Sequence, residues 1–368
     1  MKIRAAVLEE FGRPLEVQEL DLAEPSAGEV LVRLAACGVC HTDLYTASGA
    51  DPSGYAPTVL GHEGAGVVEA VGDGVTLVRP GDHVVTLFAP QCGECVHCLR
   101  SGIGLCLAIR DMQNQGYLPD GTARLSRDDE PIRHFMGTST FAEYTVMPEI
   151  ALAKVDPEAP LAHAALFACG LSTGIGAALN TARVEPGSTC VVFGAGMVGL
   201  GAVVGCRLAG AERIIAIDLA EGRLALAPHH GATETLPGGD DVVETIVEMT
   251  GGFGADYTFE ATGNVGVMRQ AVESARMGWG LATVCGVADK GETLNVIPRF
   301  LITGRRIAGS SFGGCKGRDD VPAYVRRYLA GEIDAGAFVS HRLTLDDVNR
   351  GFELMEAGDG IRSVIGFA

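Results

Sequence analysis

The chain has 368 residues, of which 47% are hydrophobic and 20% charged; this composition is typical of a soluble enzyme, and the length allows two domains. A formal net charge of -18 disfavours nucleic acid and anionic membrane surfaces as partners. The 11 cysteines, an odd number, argue against a disulfide framework and favour metal ligands plus a few core thiols in a reducing compartment. Without a signal-peptide pattern, or an apolar run of the roughly 20 residues that a membrane helix needs, we expect a cytoplasmic protein.

The first half of the chain predicts a mostly β domain with many loops. Residues 5–8, 30–34, 64–72 and 81–87 are β-rich and are separated by glycine and proline, which is typical of short antiparallel strands. Residues 92–138 lack a clean period, so they predict a long ordered excursion from the sheet.

From about residue 171 the pattern becomes an alternation of strands and helices. Strand candidates lie at 189–193, 213–217, 255–260 and 281–285, and helix candidates at 197–209 and 265–277. Such alternation predicts a parallel sheet. The C-terminal part adds helix candidates at 321–330 and 345–356 and a final strand near 362–365.

Residues 37–43 bring three kinds of reactive side chain together. Cys40 can hold a metal, His41 can meet an anion, and Thr42 can pass a proton. A thiolate is a soft ligand that suits zinc. Candidate partners for Cys40 are His62 and Cys169. The alternative is that Cys40 is a buried free cysteine, which behaves as a small hydrophobic residue.

A cysteine cluster predicts a second, structural metal site. Cys92, Cys95, Cys98 and Cys106 can surround one tetrahedral zinc within a single loop. An iron–sulfur centre can also use four thiolates. Four protein ligands leave no open position, so a zinc here would hold the lobe together without doing chemistry. His97, inside the cluster, is expected to be a solvent-exposed spacer.

The dinucleotide-binding fingerprint is present with its structural context. Gly194, Gly196 and Gly199 follow a strand candidate and open a helix, and Asp218 closes the next strand about 20 residues on. The glycines permit the tight turn, the approach of pyrophosphate and close helix–strand packing, and the helix N-terminus favours phosphate. The negative charge of Asp218 would repel a 2′-phosphate, which favours NAD over NADP.

With these motifs, the chain resembles the zinc-dependent medium-chain alcohol dehydrogenases across essentially its whole length. Outside the fingerprint and the metal-ligand candidates, the resemblance rests on residues 38–43, 61–66, 136–141, 312–314 and 361–363. Within that family the chain most resembles the class III, glutathione-dependent formaldehyde dehydrogenase type, on residues 40–43, 48–52, 90–95 and 116–122.

The resemblance implies a fold, a mechanism and a set of site residues. The fold would be α/β, a Rossmann cofactor domain with a parallel sheet plus a mostly-β, GroES-like catalytic domain. Catalytic zinc would be bound by Cys40, His62 and Cys169, with Glu63 behind it, while Thr42 takes the alcohol proton and NAD takes the hydride. Further implied cofactor residues are His41, Thr173, Gly194, Gly196, Val198, Gly199, Asp218, Arg223, Val287, Phe312 and Arg362.

The implied substrate pocket departs from the family pattern at two places. Its residues would be Phe88, Phe135, Met136, Tyr45, Asp51 and Arg110. Tyr45 stands where better known relatives end the proton relay with a histidine, and a phenol with a pKa near 10 is a poor base at neutral pH. Ser53 stands at a second acidic position of the class III type, which favours a free primary alcohol, aliphatic or aromatic, over a glutathione adduct of formaldehyde as substrate. Asp51 and Arg110 can equally be solvated loop charges.

The same resemblance implies the domain division and the assembly. Residues 1–170 and 314–368 would form the catalytic domain with its zinc lobe near 90–110, and residues 171–313 the NAD-binding domain. The excursion that runs through residues 120–138 implies a homodimer paired through the cofactor domains. A zinc-free quinone or enone reductase of the same fold, and a non-enzymatic metal- or nucleotide-binding protein, are the competing interpretations.

Overall fold

The computed structural model describes residues 1–367 and contains eighteen strands and twelve α-helices. The strands are β1 Lys2–Leu8, β2 Glu16–Leu22, β3 Glu29–Gly38, β4 Thr58–Val59, β5 Glu63–Val71, β6 His83–Thr86, β7 Leu125–Arg127, β8 Glu130–His134, β9 Tyr144–Pro148, β10 Leu152–Lys154, β11 Thr189–Phe193, β12 Arg213–Asp218, β13 Glu234–Pro237, β14 Tyr257–Glu260, β15 Leu281–Val284, β16 Arg306–Gly309, β17 Val339–Leu343 and β18 Arg362–Gly366. The helices are α1 His41–Ala47, α2 Arg110–Gln113, α3 Leu161–Ala164, α4 Gly170–Gly176, α5 Met197–Leu208, α6 Glu221–Leu224, α7 Ala227–His230, α8 Val242–Met249, α9 Val265–Ser274, α10 Pro298–Ile302, α11 Gly317–Leu329 and α12 Val348–Glu356. Short 3₁₀ helices and one π-helical stretch (Ala177–Ala182) complete the regular structure.

The chain divides into two compact units. The first unit contains Met1–Leu99, Leu105–Cys169 and Lys316–Ala368, and the second contains Arg100–Gly104 and Gly170–Cys315. Among residues 1–367 no single helix has the length and apolar composition to cross a membrane; one bent helix pair, Leu161–Ala168 with Gly170–Ala182, meets that test by length and composition alone.

The first unit is built from a closed barrel and a mixed sheet. The barrel runs β1-β2-β7-β8-β4, and the sheet runs β10-β6-β5-β3-β18-β17 with β9 also paired to β3. Apolar residues of these strands, with others from neighbouring loops and helices, fill two cores, one that contains Phe141 and Phe352 and one that contains Val30 and Val84. Since β3 pairs antiparallel with β5 so that Gly38 faces Glu63, the chain segments that follow β3 and precede β5 lie side by side.

The second unit is one parallel sheet of six strands in the order β13-β12-β11-β14-β15-β16. Its central strands are continuous apolar runs, as expected for strands covered on both faces; Val191 and Ile215, for example, are fully buried. Helix α9 ends at Ser274, three residues before the predicted end, because Ala275 is already extended and Arg276 donates its N–H to Ala255. Helix α11 begins at Gly317, four residues before the predicted start.

Candidate active site

Four metal-ligating side chains meet in the first unit. Cys40 lies at the N-cap of α1, His62 directly precedes β5, Glu63 is the first residue of β5, and Cys169 directly precedes α4. One ligand atom from each of these residues lies within 4.8 Å of the others. The side chains of Cys40, His62 and Glu63 are buried, so the cluster is shielded from bulk water.

The register of β3 against β5 explains why Cys40 and His62, 22 positions apart in the sequence, meet. Gly38 lies opposite Glu63, so Cys40 follows the end of one strand while His62 precedes the start of its neighbour. A Cβ atom at Gly38 would lie 2.1 Å from Glu63 Oε2. Only glycine therefore lets the Glu63 carboxylate lie against β3.

The imidazole of His62 is oriented towards the cluster. Its Nδ1 lies 3.0 Å from Asp43 Oδ1, which fixes the proton on Nδ1 and leaves Nε2 as the ligating atom. Nε2 is buried and has no hydrogen-bond partner among the described residues. A buried imidazole nitrogen beside two thiols fits a zinc ion, which binds histidine nitrogen and thiolate sulfur.

Asp43 is a functional residue that sequence reasoning missed. Its fully buried carboxylate accepts hydrogen bonds from the backbone N–H groups of Cys40 and Gly61 and contacts His62. It therefore ties both halves of the cluster together. The available signal was a carboxylate three residues after Cys40, at the position where an N-terminal helical turn takes an acidic cap.

The charges around the two thiols favour thiolate at Cys40. The neighbouring Cys169 sulfur lowers the pKa of Cys40 well below its ordinary value, and Arg362 and His62 act in the same direction. The same sulfur–sulfur contact raises the pKa of Cys169. Burial raises the pKa of Glu63 to about 7, against the opposing effect of Arg362. The raised pKa values of Cys169 and Glu63 show that these acidic groups resist ionising together beside the Cys40 thiolate, and a divalent cation bound among them would relieve that repulsion.

Arg362 lies behind this cluster. Its guanidinium donates to the carbonyl oxygen of Val39 at 2.6 Å and pairs with Glu63 Oε1 at 3.2 Å, and the residue is 6% exposed. These contacts compensate the buried charge of Glu63. A role of Arg362 at the cofactor pyrophosphate stays a prediction.

Cys92, Cys95, Cys98 and Cys106 form the second cluster, with their sulfur atoms within 4.8 Å of one another. The sulfur atoms of Cys92 and Cys98 are 3.8 Å apart, and those of Cys95 and Cys106 are 3.9 Å apart. Four thiolates about 2.3 Å from a tetrahedral zinc would be about 3.8 Å apart, so the cluster fits a structural zinc. Backbone N–H groups of Cys95 and Cys98 donate to sulfur, which favours thiolates.

His97 is more than the exposed spacer that the sequence predicts. The side chain is half-buried, and Nδ1 lies 2.8 Å from the carbonyl oxygen of Leu105. This contact joins the two sides of the lobe between Cys98 and Cys106. The remaining cysteines are all free in the structure, and Cys37 is a core thiol 3.0 Å from the Thr140 hydroxyl.

Three of the predicted pocket residues lie beside His62 or adjoin a residue that does. The ring of Phe88 is 5.8 Å from the His62 ring and that of Phe135 is 5.9 Å away, both in edge-on geometry. Met136 follows Phe135 and adopts a left-handed backbone conformation, with φ of 52°. These side chains form an apolar wall next to the candidate metal ligands, and the walls of substrate pockets are commonly apolar.

The polar residues predicted to line the pocket differ in their hydrogen bonds and burial. The carboxylate of Asp51 accepts hydrogen bonds from the hydroxyl of Thr46 and from the backbone and hydroxyl of Ser53. Asp51 thus stabilises its own turn. Arg110 opens α2 and is half-buried, and Tyr45 is half-buried within α1.

The fingerprint loop of the second unit has the geometry that the motif predicts. A Cβ atom at Gly199 would lie 1.6 Å from the carbonyl oxygen of Gly194, so only glycine allows α5 to pack this close. A Cβ atom at Gly196 would meet no protein atom within 4 Å, which leaves space for a ligand at that turn. The carboxylate of Asp218 accepts hydrogen bonds from the N–H groups of Ala195 and Ala220 and so holds the loop against the end of β12.

The other predicted cofactor residues occupy varied environments. The Nε atom of Arg223 is buried and has no hydrogen-bond partner among residues 1–367, so its N–H is able to donate to a bound ligand. Thr173 is buried, Val287 is 74% exposed, and Phe312 is buried with φ of 48°. Val198 is half-buried at the start of α5, and in the first unit His41 is exposed and Thr42 half-buried.

Sequence comparison decides the family. Residues 26–157 match the alcohol dehydrogenase GroES-like domain, and residues 197–330 match the zinc-binding dehydrogenase domain. The chain is 50% identical to S-(hydroxymethyl)glutathione dehydrogenase of Paracoccus denitrificans, over 99% of this chain and 100% of that protein. It is 51% identical to the class-3 alcohol dehydrogenase of Myxine glutinosa, over 98% and 97% of the two chains.

The chain belongs to the zinc-dependent medium-chain alcohol dehydrogenases. The predicted fold class is confirmed by these matches and by solved structures of the same architecture. A zinc-binding alcohol dehydrogenase domain protein of Burkholderia ambifaria superimposes with a TM-score of 0.94 at 35% identity, covering 100% of this chain and 99% of that one. Benzyl alcohol dehydrogenase of Acinetobacter calcoaceticus superimposes with a TM-score of 0.93 at 32% identity, covering all of both chains.

Membership confirms the predicted reaction class and cofactors. The chain is an NAD-dependent alcohol dehydrogenase that acts on small-molecule alcohols or aldehydes and uses two zinc ions, which fit the two clusters described above. The zinc-free reductase interpretation is therefore wrong, as is that of a non-enzymatic binding protein.

Proposed function

We propose that the Cys40 cluster is the catalytic centre and that the chain oxidises a hydroxymethyl group on a thiol adduct of formaldehyde, of the S-(hydroxymethyl)glutathione type. The cluster's donor set, two thiols and the orphaned Nε2 of His62 in a buried site, carries the catalytic assignment. Zinc bound there would supply Lewis acidity to the substrate oxygen. The substrate assignment is supported by relatives about 50% identical over the full chain that bear this activity in their names.

The residues around the cluster have defined roles in this proposal. Thr42, whose Oγ1 lies 3.7 Å from Cys40 Sγ, takes the alcohol proton. Asp43 keeps His62 in the tautomer that presents Nε2. Glu63, neutralised by Arg362, lies behind the ligands and limits the negative charge that the substrate oxygen meets. Position 45 holds a tyrosine and not the histidine that ends the relay in better known relatives, so the proton leaves through water.

The cofactor assignments follow the fingerprint. Gly194, Gly196 and Gly199 receive the pyrophosphate at the N-terminus of α5, where backbone N–H groups and the helix dipole favour anions. Asp218 and Arg223 take the adenosine ribose, and a carboxylate at that place selects NAD over NADP. His41, Thr173, Val198, Val287, Phe312 and Arg362 are the remaining proposed cofactor contacts.

A free primary alcohol, aliphatic or aromatic, is the second candidate substrate. One observation favours it: Asp51, the acidic group expected to hold a thiol adduct, is already bonded to Thr46 and Ser53. Ser53 also replaces a second acidic residue at this place. The likeness to a benzyl alcohol dehydrogenase over the full chain agrees with an aromatic substrate.

A substrate panel with NAD separates the two candidates. NADH absorbance is followed with formaldehyde in the presence and absence of glutathione, and with octanol and benzyl alcohol alone. Strict dependence on the thiol supports the adduct. Turnover of octanol or benzyl alcohol with no response to formaldehyde plus glutathione supports the free alcohol and contradicts the first proposal.

We also propose that the second unit is the NAD-binding domain, that the first is catalytic, and that the chain forms a homodimer through the cofactor domains. The dimer is supported by strand β16, which ends the parallel sheet with exposed backbone on one side and carries the exposed Ile307. The nearby α10 exposes Leu301 and Ile302. An uncovered edge with exposed apolar side chains is the kind of surface that a second copy covers. A cytoplasmic location stays a prediction.

A further inference from the structure

The amide of Gln113 joins three segments beside the metal cluster. Its Nε2 donates one hydrogen bond to the carbonyl oxygen of Phe88 at 2.7 Å and one to that of Met136 at 2.6 Å. Both acceptors are carbonyl oxygens, so the orientation of the amide is fixed: the nitrogen, and not the oxygen, must point to them. Both N–H donors of this amide are therefore in use.

The two bonded segments carry the apolar wall beside His62. The ring of Phe88 lies edge-on to the His62 ring, as does the ring of Phe135, which directly precedes Met136. All of these residues belong to the first unit. The position of each wall side chain follows its backbone, and Gln113 fixes the backbone of both segments.

The segment around Met136 needs such a restraint. Met136 has φ of 52°, a left-handed conformation that side chains other than glycine adopt at a cost. The far side of this turn is held by Ser139, whose hydroxyl accepts from the Phe135 N–H and donates to Val59. The bond from Gln113 holds the near side, at the carbonyl of the strained residue itself.

Gln113 also fixes the position of Arg110. The two residues are the ends of the single-turn helix α2, and the Gln113 N–H bonds to the carbonyl oxygen of Ile109. A helix this short has little stability of its own. Its attachment to the Phe88 and Met136 backbones therefore fixes where the Arg110 backbone lies relative to these two segments.

We propose that Gln113 is a positioning residue for substrate selection: it sets the width of the pocket by holding α2 against the backbones of Phe88 and Met136. This inference rests on the proposed function, in which those residues line the substrate pocket. Among residues 1–367, none of the hydrogen bonds of Gln113 goes to a metal-ligand candidate or to the fingerprint loop. Its loss should therefore act on the substrate and spare both zinc and NAD.

Gln113→Leu is the first test, because leucine nearly keeps the volume and removes both donors. KM for the best substrate of the panel is expected to rise about tenfold, the effect of losing one or two hydrogen bonds. We expect kcat and the KM for NAD to stay within about twofold and the zinc content to stay at two per chain. Gln113→Glu should raise KM further, since it points carboxylate oxygens at two carbonyl oxygens.

Gln115→Leu is the matched control. Gln115 lies two residues away, and its side-chain amide donates to the Asp111 carbonyl oxygen within the same turn, so the KM of Gln115→Leu should equal that of the unaltered protein. Hydrogen exchange gives a readout that does not depend on turnover: peptides covering 86–90 and 134–138 should exchange faster in Gln113→Leu and at an unchanged rate in Gln115→Leu.

The outcomes separate this inference from the proposed function. If the unaltered protein turns over no substrate of the panel, the proposed function fails, and the selection role of Gln113 falls with it. If the unaltered protein is active and Gln113→Leu has the same KM, the inference is overturned even where hydrogen exchange becomes faster. If Gln113→Leu lowers kcat and also changes the KM for NAD, Gln113 has a general structural role. That result would also overturn the inference.

Discussion

At the scale of single residues, the surroundings of His62 determine what the site can bind. Spacing alone leaves Cys40 open as a plain core thiol. The structure adds an orphaned buried Nε2, a carboxylate on Nδ1 and a second sulfur within ligand distance. A buried polar atom without a hydrogen-bond partner is rare in a folded protein. A cation bound by Nε2 and the two sulfur atoms would explain why Nε2 is buried without such a partner.

His134 gives a prediction at this scale for stability against pH. It is fully buried, its Nε2 accepts from the Arg124 N–H, and burial, with Arg124 adding, lowers its pKa to about 3. Between pH 6.5 and 3 the unfolded chain binds a proton that the folded chain does not. Stability from this residue is therefore present above pH 6.5 and falls on acidification, by up to about 1.4 kcal/mol per pH unit.

The variant His134→Asn removes the titrating group and keeps an acceptor for the Arg124 N–H. We expect a shallower loss of unfolding free energy between pH 7 and pH 5 in the variant than in the unaltered protein, measured by urea denaturation. Equal slopes in the two proteins would show that His134 is not the neutral, buried group described here.

At the scale of elements, the register of β3 on β5 and the turn after β11 build the two sites. The register depends on Gly38 and the turn depends on Gly199, because a side chain at either position would overlap a neighbouring oxygen atom. Both glycines belong to motifs that are visible in the sequence. The edge strands β13 and β16 were not predicted. Their residues are mostly exposed, with little of the apolar run that identifies the central strands of the same sheet.

Alanine substitutions at two glycines of the fingerprint should have different effects on stability and on NAD binding. Gly199→Ala places a Cβ atom on the Gly194 carbonyl, so it should lower both the melting temperature and NAD affinity. Gly196→Ala meets open space and should leave the melting temperature unchanged, while it weakens NAD binding about tenfold or more because the methyl group occupies the approach of the pyrophosphate. Thermal melts and fluorescence titration with NADH measure the two effects. Equal NADH affinity in Gly196→Ala and the unaltered protein would contradict the proposed position of the pyrophosphate.

At the scale of the whole molecule, the four-cysteine cluster and the dinucleotide fingerprint could be predicted from the sequence because each is a short motif whose spacing is fixed by local geometry. The fold class, the reaction class and the ligand set Cys40, His62 and Cys169 came from the family resemblance. The contacts made over long separations could not be predicted. Arg362 with Glu63, and Gln113 with Phe88, join segments whose proximity follows only from the folded barrel and sheet. The apolar wall beside His62 depends on such contacts, which explains why the sequence left the substrate open.

The proposed dimer is a prediction at this scale. Light scattering should give a mass of twice the 38.2 kDa of the chain, and the double substitution Ile302→Lys with Ile307→Lys should shift it towards one chain, since four lysines would face one another across the edge. The Lys substitutions at exposed sites should leave the fold intact. An unaltered protein that has the mass of one chain would exclude this assembly.

The central claim is that Cys40, His62 and Cys169 hold a catalytic zinc while the Cys92 cluster holds a structural one. Zinc content and NADH formation, measured on the same samples of Cys40→Ser and Cys95→Ser, test it most directly, with Cys37→Ser as the core-thiol control. We expect one zinc per chain in Cys40→Ser with turnover abolished and the fold retained. Cys95→Ser should lose the other zinc and melt at lower temperature while its folded fraction still turns over. Full zinc content with undiminished turnover in Cys40→Ser would contradict the account.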